Sequence, residues 1–385
     1  FMESISFSFP TNILVGPGVI GRLTETLIST GIHRPMVVTD AGLVATDAFS
    51  KLTAALLPGE LNRDWYLYSE VQPNPTESNT RGAAEMAISN SCDGIIGFGG
   101  GSALDAAKVC RILIKNPQLK LIDYDWESDW SGLLPFIAVP TTAGTGSEVG
   151  RSGVVTPEGA ESKGMYFHPE LLAKHVFLDA ELTTGLPAAL TAATGLDALT
   201  HCIESYTSPE FQPLCDGIAL EGISLIIRAL PLAITDGSNL DARNHMLVAA
   251  AMGGVAFQKD LGATHSLAHP LSAICGVHHG TANAICLPHV MRFNSRKKPG
   301  VYRRIGIACG LDVVSCSDTD ADEQTIHFIE DFIKRCGIPL SLEDVGVQEQ
   351  HIQPLTDQAW VDPCHQTNPV PVTHEDLKEL FLKAL

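Results

Sequence analysis

Four of the chain's fourteen histidines, His265, His269, His278 and His279, fall in one short stretch, and Asp197 and His201 stand upstream, four residues apart. Neutral imidazoles and a carboxylate are the donors that hold a divalent first-row metal while leaving a coordination position open for substrate. Residues four apart share one face of an α-helix, so Asp197 with His201, and His265 with His269, can each reach a common ion. An isolated Asp/His pair at this spacing is more often a surface hydrogen bond. Here Leu196, Ala198, Leu199, Cys202 and Ile203 make the segment apolar, and a buried carboxylate needs a cation or several donors to offset its desolvation. One carboxylate and three imidazoles complete a four-donor set, which leaves a histidine of the cluster for proton transfer beside the metal. Glu204, three residues past His201, is either a partner for an imidazole N–H or a surface salt-bridge residue.

A second set of residues suits phosphate and ribose. Gly99-Gly100-Gly101-Ser102 follows a β-like run and opens a helical pattern, where a backbone without side chains lets a pyrophosphate approach the free amides of a first helical turn. The spacing is neither G-x-G-x-x-G nor a phosphate loop ending in Gly-Lys-Ser/Thr, so a structural tight turn competes with this reading. Pro140-Thr141-Thr142-Ala143-Gly144-Thr145-Gly146-Ser147-Glu148 is another polar turn, whose hydroxyls could hold phosphate, ribose or carboxamide or merely cap their own helix. Asp40 ends a further run; a carboxylate there accepts ribose hydroxyls and repels a 2′-phosphate, which favours NAD over NADP, unless it only caps its turn.

These residues need a scaffold of two kinds. Met36–Thr39, Gly94–Phe98 and Phe136–Val139 read as strands between helical patterns, the arrangement that builds a parallel sheet covered by helices, with ligands at the carboxyl ends of its strands. From about Leu186-Pro187 the strand signals fade and 3.6-residue periodicity dominates, as over Leu214 to Ile234 and Thr325 to Cys336. The expectation is an α/β dinucleotide-binding domain over residues 1–186 and an all-helical metal-binding and catalytic domain over 187–385, the boundary lying in Leu182–Pro187. The 385 residues exceed the roughly 250–300 at which one hydrophobic core stops growing, which agrees with two domains. Lys and Arg number 25 against 44 Asp and Glu, and a net charge of −19 repels nucleic acid and anionic membrane surfaces. The longest apolar run, Met246 to Phe257, falls well short of the roughly 20 residues that cross a bilayer. Ten cysteines without a C-x-x-C pair, and no apolar leader, predict a protein of the reducing cytoplasm.

At these residues the chain resembles the iron-containing, group III alcohol dehydrogenases, over nearly its whole length. The matching segments are Gly99 to Ser102 with Asp105 and Lys108, Pro140-Thr141-Thr142 with Thr145 to Glu148, Gly195 to Glu204, and His265 to His289, together with Pro73-Asn74-Pro75, Lys163 and Thr367-Asn368-Pro369. The resemblance implies the dehydroquinate synthase-like architecture of that family, with Asp197, His201, His265 and His279 binding a metal, usually Fe²⁺, and His269 as the proton-relay residue. It implies that Asn74, Lys163, Asp105 and the two polar turns, through Gly99, Gly100, Gly101, Ser102, Thr141, Thr142, Thr145 and Ser147, contact NAD. Three features depart from the pattern. His278 replaces the usual Pro before the last ligand and competes with His279, residues 257–262 are one residue shorter and carry charge, and Gly150-Arg151 replaces a Thr followed by an uncharged residue.

The implied activity is interconversion of a primary alcohol, small diol or hydroxy acid with its aldehyde by hydride exchange with NAD(H), in a homodimer or larger homo-oligomer. A Zn²⁺-dependent polyol dehydrogenase is the nearest alternative. A metal- and NAD-dependent cyclising lyase would carry more basic residues for an anionic substrate, and an idle metal-binding scaffold would not keep both sites complete. Lys259, close to the cluster in sequence, points to a semialdehyde or phosphonoaldehyde as a second candidate substrate.

Overall fold

The aliphatic runs of the first half are buried along their whole length, as strands covered on both faces by helices must be. They are β2 (Pro35–Val38), β4 (Gly94–Gly99) and β5 (Phe136–Pro140), following β1 (Asn12–Val15) and β3 (Tyr66–Tyr68) in an all-parallel sheet completed by β8 (His175–Leu178). The sheet order is β1-β8-β5-β4-β2-β3, and β6 (Ser152–Val155) pairs antiparallel with β7 (Gly164–Phe167) in a separate hairpin. The computed structural model describes residues 6–56, 64–160 and 163–385. They divide into two compact units, 9–186, and 187–385 with 6–8.

Because β4 lies between β2 and β5, the carboxyl ends of these three strands are neighbours. Those ends carry Asp40, the Gly99–Ser102 turn and the Thr141–Ser147 turn. The sequence names only these three strands. Of the others, β1 and β3 lie at the sheet edges, where one exposed side weakens the apolar signal.

The second unit is helical throughout 187–385. Helix Ala188–Thr207 packs on Pro213–Thr235, Leu240–Ala256 and His279–Lys297, and Ala263–Cys275 packs on His279–Lys297 and Ile352–Val361. By length and composition alone helix Pro213–Thr235 is long and apolar enough to cross a membrane, and in the fold it packs on Ala188–Thr207 and Leu240–Ala256. A search for uninterrupted apolar runs passes over it because Asp216, Glu221 and Arg228 interrupt it. Pro270 sits inside helix Ala263–Cys275 without ending it, and the helix stops at Gly276 with φ 67°.

Candidate metal centre and cofactor-binding turns

Three helices of the second unit deliver the donors. Ala188–Thr207 carries Asp197, His201 and Glu204; Ala263–Cys275 carries His265 and His269; His279–Lys297 begins at His279. Asp197, His201 and His265 are buried, and His279 is half-buried. Around Asp197 Oδ1 stand the Nε2 atoms of His279 at 3.5 Å, His201 at 3.7 Å and His265 at 3.8 Å. Tetrahedral ligands about 2.0–2.2 Å from an ion lie roughly 3.3–3.6 Å apart, so these separations are close to the edges of a coordination shell.

The electrostatics fit a cation at that point. Burial works to raise the Asp197 carboxyl, but the facing imidazoles of His201, His279 and His265 outweigh it and hold it at about 2. Burial pushes His279 well below its ordinary value, which keeps it in the neutral form a metal requires. Behind His265, Glu204 Oε2 lies 2.6 Å from Nδ1, while the same carboxylate accepts the N–H groups of Thr264 and Gly262 at 2.6 and 3.1 Å. Of the two roles open to Glu204, the imidazole partner is the one observed.

The backbone brings His279, not His278, to this point. His278 is exposed at the N-cap with ψ 131°, whereas His279 is the first helical residue. One residue later the helices nearly touch, because a Cβ added to Gly280 would lie 2.0 Å from the Ala193 carbonyl oxygen and 3.3 Å from Asp197 Cβ. Only glycine permits that approach.

Two side chains at the centre were not anticipated. Asn283, fully buried one turn after His279, places Nδ2 2.8 Å from Asp197 Oδ1, 3.1 Å from His279 Nε2 and 3.2 Å from His265 Nε2. Its spacing from His279, again four residues, was the available signal. Asp362 lies just beyond helix Ile352–Val361 and receives His269 Nδ1 at 2.7 Å on Oδ2. Its Oδ1 accepts the Ser266 hydroxyl at 2.8 Å and the Cys364 N–H at 2.9 Å. Asp362 and His269 are 93 positions apart, and nothing local in the sequence links them.

Lys259 does not reach outward to a substrate. Its side chain is 2% exposed, and Nζ donates to Asp216 Oδ1 at 2.5 Å and to the Tyr206 carbonyl at 3.2 Å. The ammonium is already paired, which removes the reason for assigning it an anionic substrate.

In the first unit the two polar turns pack on each other. Gly99 has φ 143°, and a Cβ there would lie 2.8 Å from Ala103 Cβ; one on Gly101 would lie 2.8 Å from Thr145 Cγ2. Helix Gly101–Lys115 starts at Gly100 without a side-chain cap, leaving first-turn amides for an anion. Ser102, Thr142 and Thr145 are half-buried at this edge, and Thr141 is buried with its N–H on the Gly99 carbonyl. Asp40 caps its own turn by accepting Leu43 N–H at 3.1 Å on Oδ1, while Oδ2 faces Gly99. Asn74, with φ 56°, accepts Lys163 Nζ at 2.7 Å, so these two are brought together.

Asp105 and Ser147 have internal partners. Ser147 Oγ donates to Asp105 Oδ1 at 2.6 Å and accepts from the fully buried Lys108 at 2.8 Å, while Val154 N–H meets Asp105 Oδ2 at 3.1 Å. This network fastens the second turn to the helix that follows the first. Arg151 opens the β6–β7 hairpin, accepting His168 N–H on its carbonyl at 3.0 Å.

Known proteins are similar to this chain over nearly its whole length. Residues 10–180 match the model of the iron-containing alcohol dehydrogenases, and 191–385 match that of the Fe-containing alcohol dehydrogenase family, C-terminal. The chain is 37% identical to a 4-hydroxybutyrate dehydrogenase of Cupriavidus necator, over 97% of this chain and 98% of that one. A 1,3-propanediol oxidoreductase structure superposes with a TM-score of 0.95 at 34% identity, covering all of both chains. A sulfoacetaldehyde reductase from Bifidobacterium kashiwanohense, solved with NAD⁺, gives 0.88 at 28% identity over 100% of this chain and 99% of that one.

Proposed function

The chain belongs to the iron-containing alcohol dehydrogenase family, whose members interconvert alcohols and aldehydes, and we propose that it does so with NAD(H) and a divalent metal held by Asp197, His201, His265 and His279. The observation that carries this reading is the convergence of three imidazole Nε2 atoms on one buried carboxylate oxygen. Bound there, the metal supplies Lewis acidity at the substrate oxygen, and NAD supplies the hydride acceptor. Fe²⁺ is the family's usual ion, and the same donors suit Zn²⁺.

The protein's own groups hold and orient. Glu204 fixes His265 with Nε2 towards Asp197, and Asp362 does the same for His269. With the proton on Nδ1 donated to Asp362, His269 presents a lone pair on Nε2 and, at 36% exposure, can exchange a proton with solvent beside the metal ligands. The amides of Gly101 and Ser102 would receive the pyrophosphate, with the hydroxyls of Ser102, Thr142 and Thr145 around it. Asp40 Oδ2 would take the adenosine ribose, and Asn74 with Lys163 would meet the cofactor farther along. Thr141, Asp105 and Ser147 would act by shaping the turn.

A small primary alcohol or diol fits this reading best, because Lys259, the basic residue that suggested an acidic substrate, is paired internally. Self-association belongs to the same proposal, and exposed Phe211, Leu214 and Leu232 are apolar surface that an interface would cover. Metal-stripped protein reloaded with Fe²⁺ should reduce short aldehydes with NADH, and NADH fluorescence should change on titration. Absence of NAD(H)-linked turnover across alcohols and aldehydes of varied length and charge would overturn the proposal.

A further inference from the structure

Beside the proposed metal centre a different donor set lies close together. His269, Asp362 and Cys364 each place a ligand atom within 4.8 Å of the other two. Asp362 is already oriented for coordination, because Ser266 Oγ and Cys364 N–H both hold Oδ1 while Oδ2 faces His269. Ser266 is itself buried and fixed by His365 N–H at 2.8 Å. A carboxylate with one oxygen restrained by two donors and the other facing an imidazole, with a thiol within 4.8 Å of the pair, suits a bound cation.

We propose that His269 Nδ1, Asp362 Oδ2 and Cys364 Sγ form a second, inhibitory metal site for a borderline-soft divalent cation such as Zn²⁺ or Co²⁺. The thiolate sets the preference, since sulfur favours Zn²⁺ and Co²⁺ over Fe²⁺. Charge also balances. Asp197 and Glu204 supply two negative charges to the first site, and Asp362 with the Cys364 thiolate supply two to the second. The rings of His269 and His279 stack with centroids 5.3 Å apart, so two cations repel, and the second site fills after the first.

Binding is an exchange of protons for metal. The Nδ1 proton of His269 moves to Nε2 as Nδ1 takes the cation, and the Cys364 thiol gives its proton to solvent, one proton being released per ion. His269 Nε2 thereby changes from acceptor to donor and can no longer take up a proton. Inhibition therefore rests on the reading of His269 as the proton-transfer residue; binding does not.

Cobalt titration of the full-length protein tests the site, because the Asp197 set contains no sulfur. A near-ultraviolet thiolate-to-cobalt charge-transfer band should grow after the first equivalent in the native chain and from the first equivalent in Asp197→Ala, and be missing in Cys364→Ser and Cys364→Ala. Zn²⁺ added to the Fe²⁺-loaded enzyme should inhibit, and Cys364→Ser should raise the half-inhibitory concentration by at least about tenfold with zinc-free turnover nearly unchanged. No band in the native chain, a band that survives both cysteine substitutions, or equal zinc sensitivity of native and Cys364→Ser would overturn the proposal. Failure of the first site would show separately, as an equivalent without the sulfur band that Asp197→Ala does not abolish.

Discussion

Glu204 and His265 are joined through Oε2 and Nδ1 at 2.6 Å, both side chains no more than 5% exposed, on helices 61 residues apart in the chain. Burial tends to raise the Glu204 carboxyl, but the His265 contact and the Thr264 N–H bring it below its ordinary value. The carboxylate therefore stays charged and holds the ring with Nε2 facing Asp197.

Glu204→Gln keeps the shape and removes the charge. Metal affinity, read by competition with a chromogenic chelator, should fall by about 10–100-fold. An unchanged affinity would mean that Glu204 only braces the backbone of residues 262–264.

Asp362→Asn should lower kcat by roughly 10²-fold with little change in KM or metal content, because the ring of His269 loses the group that sets its tautomer. Asp362→Glu should recover part of the rate. Loss of bound metal in parallel with kcat would point to a structural role instead.

Gly280→Ala places a methyl 2.0 Å from the Ala193 carbonyl oxygen, so helices Ala188–Thr207 and His279–Lys297 must separate. The expected cost is about 1–3 kcal/mol of stability, together with weakened metal binding, because His279 moves away from Asp197. His278→Ala should change neither, and thermal unfolding with and without metal separates the two effects.

Lys259→Ala should leave the relative turnover of a simple aldehyde and an acid semialdehyde unchanged. It should instead destabilise the chain by about 1–3 kcal/mol, since the partly solvated Asp216 and the Tyr206 carbonyl lose their donor. A selective loss of activity on the acid semialdehyde would restore Lys259 as a substrate contact.

Glu148, buried beside Lys108, is pushed up to about 7 by desolvation. An acid raised in the folded state contributes stability that is present below its unfolded value and lost as pH rises through the folded one. Unfolding free energy should therefore drop between about pH 4.5 and 7, by up to about 3 kcal/mol. Glu148→Gln should flatten that decline in denaturant midpoints measured across the range, and parallel curves for native and variant would refute the assignment.

Much of this was legible in the sequence, for local reasons. Four-residue spacing puts Asp197 with His201 on one helix face, and β-branched runs closed by glycine and threonine turns mark the strands at whose carboxyl ends the proposed cofactor turns lie. Backbone geometry over a few residues decides such features, and the sequence records it directly. The role of Asp105 and Ser147 was less clear, because a hydroxyl in a turn can serve a ligand or its own helix, and only the position of Lys108 and Val154 shows that these two are engaged within the protein. The tertiary structure alone chose His279 over His278, through the start of a helix and the close approach at Gly280. It alone joined Asp362 to His269 across 93 residues and turned Lys259 inward to Asp216. Such partners are selected by packing, where excluded volume and the cost of burying an unpaired charge act between segments distant in the chain.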